Sequence, residues 1–460
     1  MENAKRVEWK VSEKLELQPV RGTRDFAPSE KLARDELVAR LVKIFERYGF
    51  NPLETPAFEN WSVLSAKNAG GEEILKEAYK LVDQGGRELG LRYDLTVPLC
   101  RFVASNPRLA LPFKRYQIEK VWRDGPVSSQ RWREFLQCDA DIVGAASMIA
   151  DAECVALAND FFTELGMPFL IKINNRKFLN SVLEAVGVEL EKRVGALLSV
   201  DKLEKIGREK VVEELEKERG LNKSAARKLL EVFNSLSGLN AKEFFEKAGK
   251  ILSGESGEGS EGLKELRELV RFLDEFGVSE KNFALDASLA RGLTYYTGSV
   301  FEVVLIGSRV TASVAGGGRY DDLIKAFLGG TRSIPAVGIS FGVDRILEAL
   351  QAAGKTLGRK TVTSVFVIPV GEKALKPALN TLRLLRSNGI NCDVDLMQRG
   401  ISKNLEYAGK QGMRFAVIIG EREVLEGVLT LRDLESGKEE KLFASEAVKR
   451  LKQTLKMDGN

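Results

Sequence analysis

Arginines and carboxylates, set among closely spaced glycines and tyrosines, are the side chains in this sequence that could do chemistry. None of the 460 residues is a histidine. The commonest general base and the commonest metal ligand are both missing. Catalysis must rest on carboxylates, arginines, hydroxyls, a bound metal or groups that a substrate brings. The first concentration of such residues lies in two segments of strand length, Phe113 to Arg123 and Arg133 to Val143. A linker with Gly125, Pro126 and two serines joins them, so they read as a long hairpin. Alternation puts Arg133, Phe135, Gln137, Asp139 and Asp141 on one face of the second strand. It puts Arg115, Gln117, Glu119 and Arg123 on one face of the first. A sheet face this polar is either solvated or lines a binding site. With Arg131 at the end of the linker, arginines cluster at the hairpin mouth, which suits phosphate.

The second concentration is Arg291-Gly-Leu-Thr-Tyr-Tyr-Thr-Gly298, where two glycines bracket an arginine and a tyrosine pair. Glycines permit close backbone approach to a ligand, and paired tyrosines offer ring surface and hydroxyls. A strand with bulges would look the same. The third is Gly316-Gly-Gly-Arg-Tyr-Asp321, which reads as a turn opening a helix and so as an anion or backbone-contact site. One decoy falls away. Gly354-Lys355-Thr356 resembles the end of a phosphate-binding loop, but Ala349 stands where its first glycine belongs.

Composition narrows the classes. Basic residues number 70 against 66 acidic, a net charge of +4, which excludes a strongly basic protein and allows local basic patches. Cys100, Cys138, Cys154 and Cys392 form no CxxC pair, so neither zinc nor a disulfide framework is expected. The N-terminal MENAKRVEWKVSEKLEL lacks the apolar core of a signal peptide, and no apolar run approaches a membrane span. The cytoplasm, with no membrane partner, is the expected location.

The elements that must position these residues follow from periodicity. Residues 30 to 50 and 145 to 165 have helical spacing. From about 175 to 280 Lys and Glu dominate helical repeats, interrupted by SGESGEGSEG at 253 to 262, which reads as a helical insertion with a flexible loop. Strands resume near Phe283 and run to about Ile339, with the Gly-rich turn Ala315 to Arg319 among them. A helix follows from Gly342. Beyond a linker near Gly358, TSVFVIPVG, INCDVDLM and FAVIIGE alternate with helical stretches, predicting a parallel sheet flanked by helices.

Taken in order, Arg21 to Pro28, LRYDLTVPLCRF (91–102), KRYQIEKVWRDGPVSSQRWREFLQCDADIVG (114–144), ARGLTYYTG, AGGGRYDDLI and PAVGISFGVDRI resemble the class II histidyl-tRNA synthetases. The resemblance runs from about residue 19 to 450, and LRYDLT is similar to the archaeal and eukaryotic type. It implies an α+β catalytic domain on an antiparallel sheet with a helical insertion, plus a C-terminal α/β anticodon-binding domain with a mostly parallel sheet. The implied boundaries are 1–174, 175–280, 281–357 and 361–460. The implied reaction is histidine–tRNA ligation: ATP and L-histidine form histidyl-adenylate, and histidine passes to tRNA-His.

The same resemblance assigns residues. Arg123 contacts the α-phosphate and the substrate carboxylate, and Arg345 reaches the terminal phosphates. Arg131 and Arg133 surround the tip of the nucleotide site, and Arg291 neutralises the α-phosphate and also belongs to the histidine site. Asp94, Thr96 and Gln137 hold the α-amino group of histidine, with Asp141, Tyr295, Tyr296 and Tyr320 toward its ring. Mg²⁺ arrives with ATP. Thr294 replaces the aspartate usual in this motif, and Asp94 stands where other branches have glutamate. Loop 125–132 approaches the acceptor end of the tRNA, the insertion touches the acceptor arm, and Arg399, Lys403 and Lys410 contact RNA. The segment through Pro56 implies a homodimer. Two alternatives are a synthetase-like regulatory subunit of ATP phosphoribosyltransferase and a class IIa synthetase for proline, threonine or glycine. Regulators of that kind usually lack the terminal domain and erode the ATP arginines, all present here. The other synthetases lack the RGLxYYTG and GGGRYD pair.

Overall fold

The computed structural model describes residues 17–66, 72–128, 131–252, 258–291, 295–330, 332–355 and 357–457. The chain forms two compact units, one of Met1–Asp25 with Leu37–Lys355 and one of Phe26–Glu36 with Thr356–Asn460.

The strands of the first unit are β1 (Asn51–Pro52), β2 (Phe58–Asn60), β3 (Lys80–Val82), β4 (Glu88–Leu91), β5 (Phe113–Trp122), β6 (Glu134–Val143), β7 (Phe169–Asn175), β8 (Phe283–Leu285), β9 (Ser299–Leu305), β10 (Ala315–Arg319) and β11 (Ala336–Phe341). Eight of them make one sheet in the order β1-β5-β6-β11-β10-β9-β7-β8. Only the outer pairs β1–β5 and β7–β8 are parallel. The predicted hairpin is its β5–β6 pair, with Arg115 opposite Asp141 and Gln117 opposite Asp139.

One side of the sheet is covered by apolar helices. Met148–Leu165 starts on Ser147, whose hydroxyl accepts from the Ile149 N–H, and stops at Gly166, which takes the left-handed conformation a C-cap needs (φ 65°). Its Phe161 and Phe162 rings meet Phe341 of β11 at 5.3 and 6.1 Å, and Phe45 joins them at 5.8 Å. The opposite side is left to polar residues.

Two expectations change here. Ala315–Arg319 is no turn but the buried strand β10, hydrogen-bonded to both β9 and β11. Its glycines serve the sheet: a Cβ on Gly317 would overlap the Gly338 carbonyl oxygen and lie 2.7 Å from the Phe301 ring. The short helix that follows, Leu323–Phe327, begins only after Tyr320 and Asp321. In the helical stretch after β7, residues 253–257 lie outside the described residues, but 258–262 open the helix Glu258–Glu275 rather than extending a loop. That helix packs so tightly that a Cβ on Gly262 would strike the Phe178 backbone.

The second unit carries β12 (Val365–Pro369), β13 (Cys392–Val394), β14 (Phe415–Ile419), β15 (Leu429–Asp433) and β16 (Glu439–Leu442), in the order β13-β12-β14-β15-β16. The three apolar runs form its parallel part. To these the fold adds an antiparallel hairpin, β15–β16, that the expected mostly parallel sheet did not include. Its outer strand is largely exposed and rich in Glu and Lys, so hydropathy does not mark it.

Candidate active site

The polar face of β5, β6, β10 and β11 closes around a cavity of about 600 Å³. It lies in the first unit, and all the predicted site residues except Arg133 line it. The solvated reading of that face is excluded at its inner end, where Asp139 and Asp141 are each 3% exposed and Arg115 is wholly buried. Arg133 turns away. Its guanidinium lies 2.9 Å from Asp124, and its stem packs against Gly22, where a Cβ would come within 2.7 Å. Arg131 reaches the cavity while paired with Glu77. Thr294 and its two preceding residues lie outside the described residues.

Besides Arg131, three arginines line the cavity. Arg123 donates from Nε to the Tyr93 carbonyl at 2.9 Å and lies over the Phe135 ring at 5.2 Å. Arg345, from the helix Val343–Ala352, donates to the Ser313 carbonyl at 2.9 Å. Arg291 donates to the Phe301 and Gly317 carbonyls, each at 3.3 Å, and lies 3.5 Å from Glu302. Its backbone is left-handed (φ 53°), a conformation an L-residue adopts at a cost of about 1–3 kcal/mol. A Cβ on Gly316 would come within 2.5 Å of the Arg291 guanidinium, so the glycine makes room for it. Burial pulls the Arg345 guanidinium below its ordinary range; Glu302 opposes this and Arg123 reinforces it. An anion bound here relieves that cost.

Three buried aspartates, Asp94, Asp139 and Asp141, line the cavity as well. Arg115 Nη2 lies 2.9 Å from Asp141 and donates to the Leu95 carbonyl at 3.1 Å. The Tyr320 hydroxyl donates to the second Asp141 oxygen. Gly338, opposite Asp141 on β11, must be glycine because a Cβ there would overlap that carboxylate. Tyr320 follows Arg319, a buried residue anchored by Asp151 of the helix Met148–Leu165. The ring of Tyr295 meets those of Tyr296 and Tyr320 at 4.8 and 6.0 Å. Asp94 accepts from the Val97 N–H at 3.0 Å where the helix Thr96–Ser105 begins. Burial pushes its carboxyl up to about 6, against the Val97 hydrogen bond and the Arg123 charge. Burial pushes the Asp139 carboxyl up to about 7; Arg115 opposes this and Asp141 adds to it.

Such a site can hold a polyanion on its arginines and a small polar cation on its aspartates. Its residues also include Trp132, Ser313 and Ser340, to which the sequence assigned no role. Among the described residues no group of three or more Cys, Asp or Glu side chains could hold a metal ion, and no helix is long and apolar enough to cross a membrane.

Comparison with known proteins adds a consistent set of likenesses. The family model described as Histidyl-tRNA synthetase matches residues 22–346, and that described as Anticodon binding domain matches 364–454. Histidine–tRNA ligase 1 of Bacillus cereus is 41% identical over 432 residues, 93% of this chain and 98% of its own. Histidine–tRNA ligase of Aeropyrum pernix is 40% identical over 446 residues, 95% and 98%. The crystal structure of histidyl-tRNA synthetase from Nostoc sp. PCC 7120 superposes with a TM-score of 0.82 at 33% identity, covering 95% of this chain and all of that one.

Proposed function

Because the chain belongs to the histidyl-tRNA synthetase family and ligates histidine to tRNA with ATP, we propose how its residues divide that work. Arg123 and Arg345 hold the ATP phosphates, with Arg131 at the rim. Arg291 lies across the α-phosphate. Arg133 is left out, since it is engaged with Asp124 outside the cavity. Asp94, Thr96 and Gln137 take the α-amino group of histidine, and Asp141, Tyr295, Tyr296 and Tyr320 enclose its ring. The observation that carries this division is one cavity lined by both arginines and three buried aspartates.

The reaction suits a protein without histidine. The carboxylate of the substrate is already ionised and attacks the α-phosphorus. The bond to the bridging oxygen breaks, and pyrophosphate leaves with its electrons. No proton moves, so positioning and charge neutralisation suffice. Mg²⁺ needs only one or two carboxylates when phosphates supply its other oxygens. The ion would come with ATP and relieve its phosphate charge. A ribose hydroxyl of the tRNA then attacks the adenylate carbonyl, the bond to the phosphate oxygen breaks, and AMP departs with the hydroxyl proton on its phosphate.

The partition 1–174, 175–280, 281–357 and 361–460 is proposed to follow these jobs: the two catalytic parts, a helical insertion on the acceptor arm, and the anticodon unit. Loop 125–132 meets the acceptor end, and Arg399, Lys403 and Lys410 contact RNA. The enzyme is a homodimer in the cytoplasm. Pro56 is exposed and Phe58 is 54% exposed, an apolar surface that a second copy would cover. Cys100, Cys138 and Cys154 are free and buried thiols, which fits a reducing compartment.

The test is adenylate formation in Arg291→Ala, followed in a single turnover with histidine binding measured separately. The expected result is a rate lower by roughly 100- to 1000-fold with histidine bound nearly as before. A rate within a few-fold of the unaltered enzyme removes Arg291 from the chemistry.

A further inference from the structure

Arg291 stands on a left-handed backbone (φ 53°), and such a conformation persists only where its surroundings over-determine it. The Phe301 and Gly317 carbonyls hold its guanidinium and leave its backbone to other groups. Those groups come from the end of β7 and the turn into the helix Arg176–Ala185. Asn174, wholly buried, donates from Nδ2 to the Leu289 carbonyl at 2.9 Å. Its amide is fixed in that orientation, because its Oδ1 accepts from the Asn175 N–H at 2.9 Å. Arg176, 7% exposed, donates from Nη1 to the Ala290 carbonyl at 3.1 Å. These are the two carbonyls immediately before Arg291. Beyond the tyrosine pair, the Gly298 carbonyl accepts from the Arg176 N–H at 2.8 Å. Both ends of segment 291–298 are therefore tied to one short stretch of chain.

The choice of an arginine for this task is informative. Burial pulls the Arg176 guanidinium below its ordinary range, and Asp201, at the end of the helix Leu190–Val200, opposes this. A carbonyl needs one donor, and a neutral amide supplies it with a smaller desolvation cost. An arginine adds reach and a planar fork, which sets the Ala290 carbonyl at a fixed place relative to β7. Asn175, between the two, caps the helix by accepting from the Lys177 and Phe178 N–H groups, and it donates to Glu265 at 2.7 Å. Neither Asn174 nor Arg176 lines the cavity, so each acts on the chemistry through the segment that it holds.

We propose that Asn174 and Arg176 are positioning residues for Arg291: they set the path of the chain into it, and so the place of its guanidinium against the α-phosphate. This rests on the reading of Arg291 as the group that lies across that phosphate. A shift of about 1 Å in such a group is enough to slow the reaction by about 100-fold. Other residues carry most of the substrate binding, so the loss falls on the rate of adenylate formation.

The experiment is single-turnover adenylate formation by the full chain, with histidine and ATP binding measured separately. It compares Arg176→Met, which keeps the stem and removes the donor, with the same change in an Arg291→Ala background. Alone, Arg176→Met is expected to lower the rate by at least about ten-fold, with the Kd of each substrate within about three-fold. In Arg291→Ala it adds less than about three-fold, because residues that act as a unit are not additive. A merely structural role would lower the rate by the same factor in both backgrounds. A smaller fall in the single variant, a larger one in the combination, or a loss carried by weaker substrate binding overturns the proposal. If Arg176→Met does not fold, Asn174→Ala is taken through the same cycle against the same limits. If Arg291→Ala alone stays within a few-fold of the unaltered enzyme, the role of Arg291 falls first and the proposal with it.

Discussion

At the scale of single residues, the site is defined by which charges have partners and which do not. Arg319 and Asp151, both buried, satisfy each other and hold a wall in place. Asp139, equally buried, accepts from Gln137, and its carboxyl is pushed up to about 7 mainly by burial. An unfolded aspartate titrates near 3.9. Between about pH 4 and pH 7 the folded chain therefore holds a proton that the unfolded chain has lost, so this group's contribution to stability falls as the pH rises through that window. Arg115, Asp141 and Asp94 set the local charge against which it titrates. Asp139→Asn removes the cost. The ligand-free variant should melt a few degrees above the parent at pH 8, on the scale of roughly 2–4 °C per kcal/mol recovered. The gain should fade towards pH 5. Circular-dichroism melts at the two pH values check this, and a gain that does not change with pH counts against it.

At the scale of elements, four strands place the chemistry, and their glycines admit it. Gly338 gives Asp141 its space from across the β6–β11 pair. Gly338→Ala should raise the KM for histidine at least ten-fold and leave that for ATP within a few-fold, measured by exchange kinetics. Equal effects on both substrates would mean that the strand itself has moved. Much of this was legible in the sequence, because alternation along Glu134–Val143 displays the polar face directly. Two features were not. AGGGR carries the signature of a turn, and only the closeness of the β9, β10 and β11 backbones makes it a strand. Spacing also places Arg131 and Arg133 together, whereas Asp124 draws Arg133 out of the cavity. Asp139 stood on the legible face. That Asp141, rather than Asp139, pairs with Arg115 is a matter of three-dimensional distance.

At the scale of the whole molecule, the two units carry separate parts of one reaction, amino-acid activation in the first and anticodon binding in the second. Neither needs a histidine side chain, since phosphate is held by guanidinium groups and the nucleophile arrives ionised. The free amino acid is thus the only imidazole in the activation step. ATP–pyrophosphate exchange, run on the full chain with each of the twenty amino acids in turn, tests this account most directly. Exchange with histidine alone is the predicted result. Exchange driven by another amino acid, or by none, would contradict it.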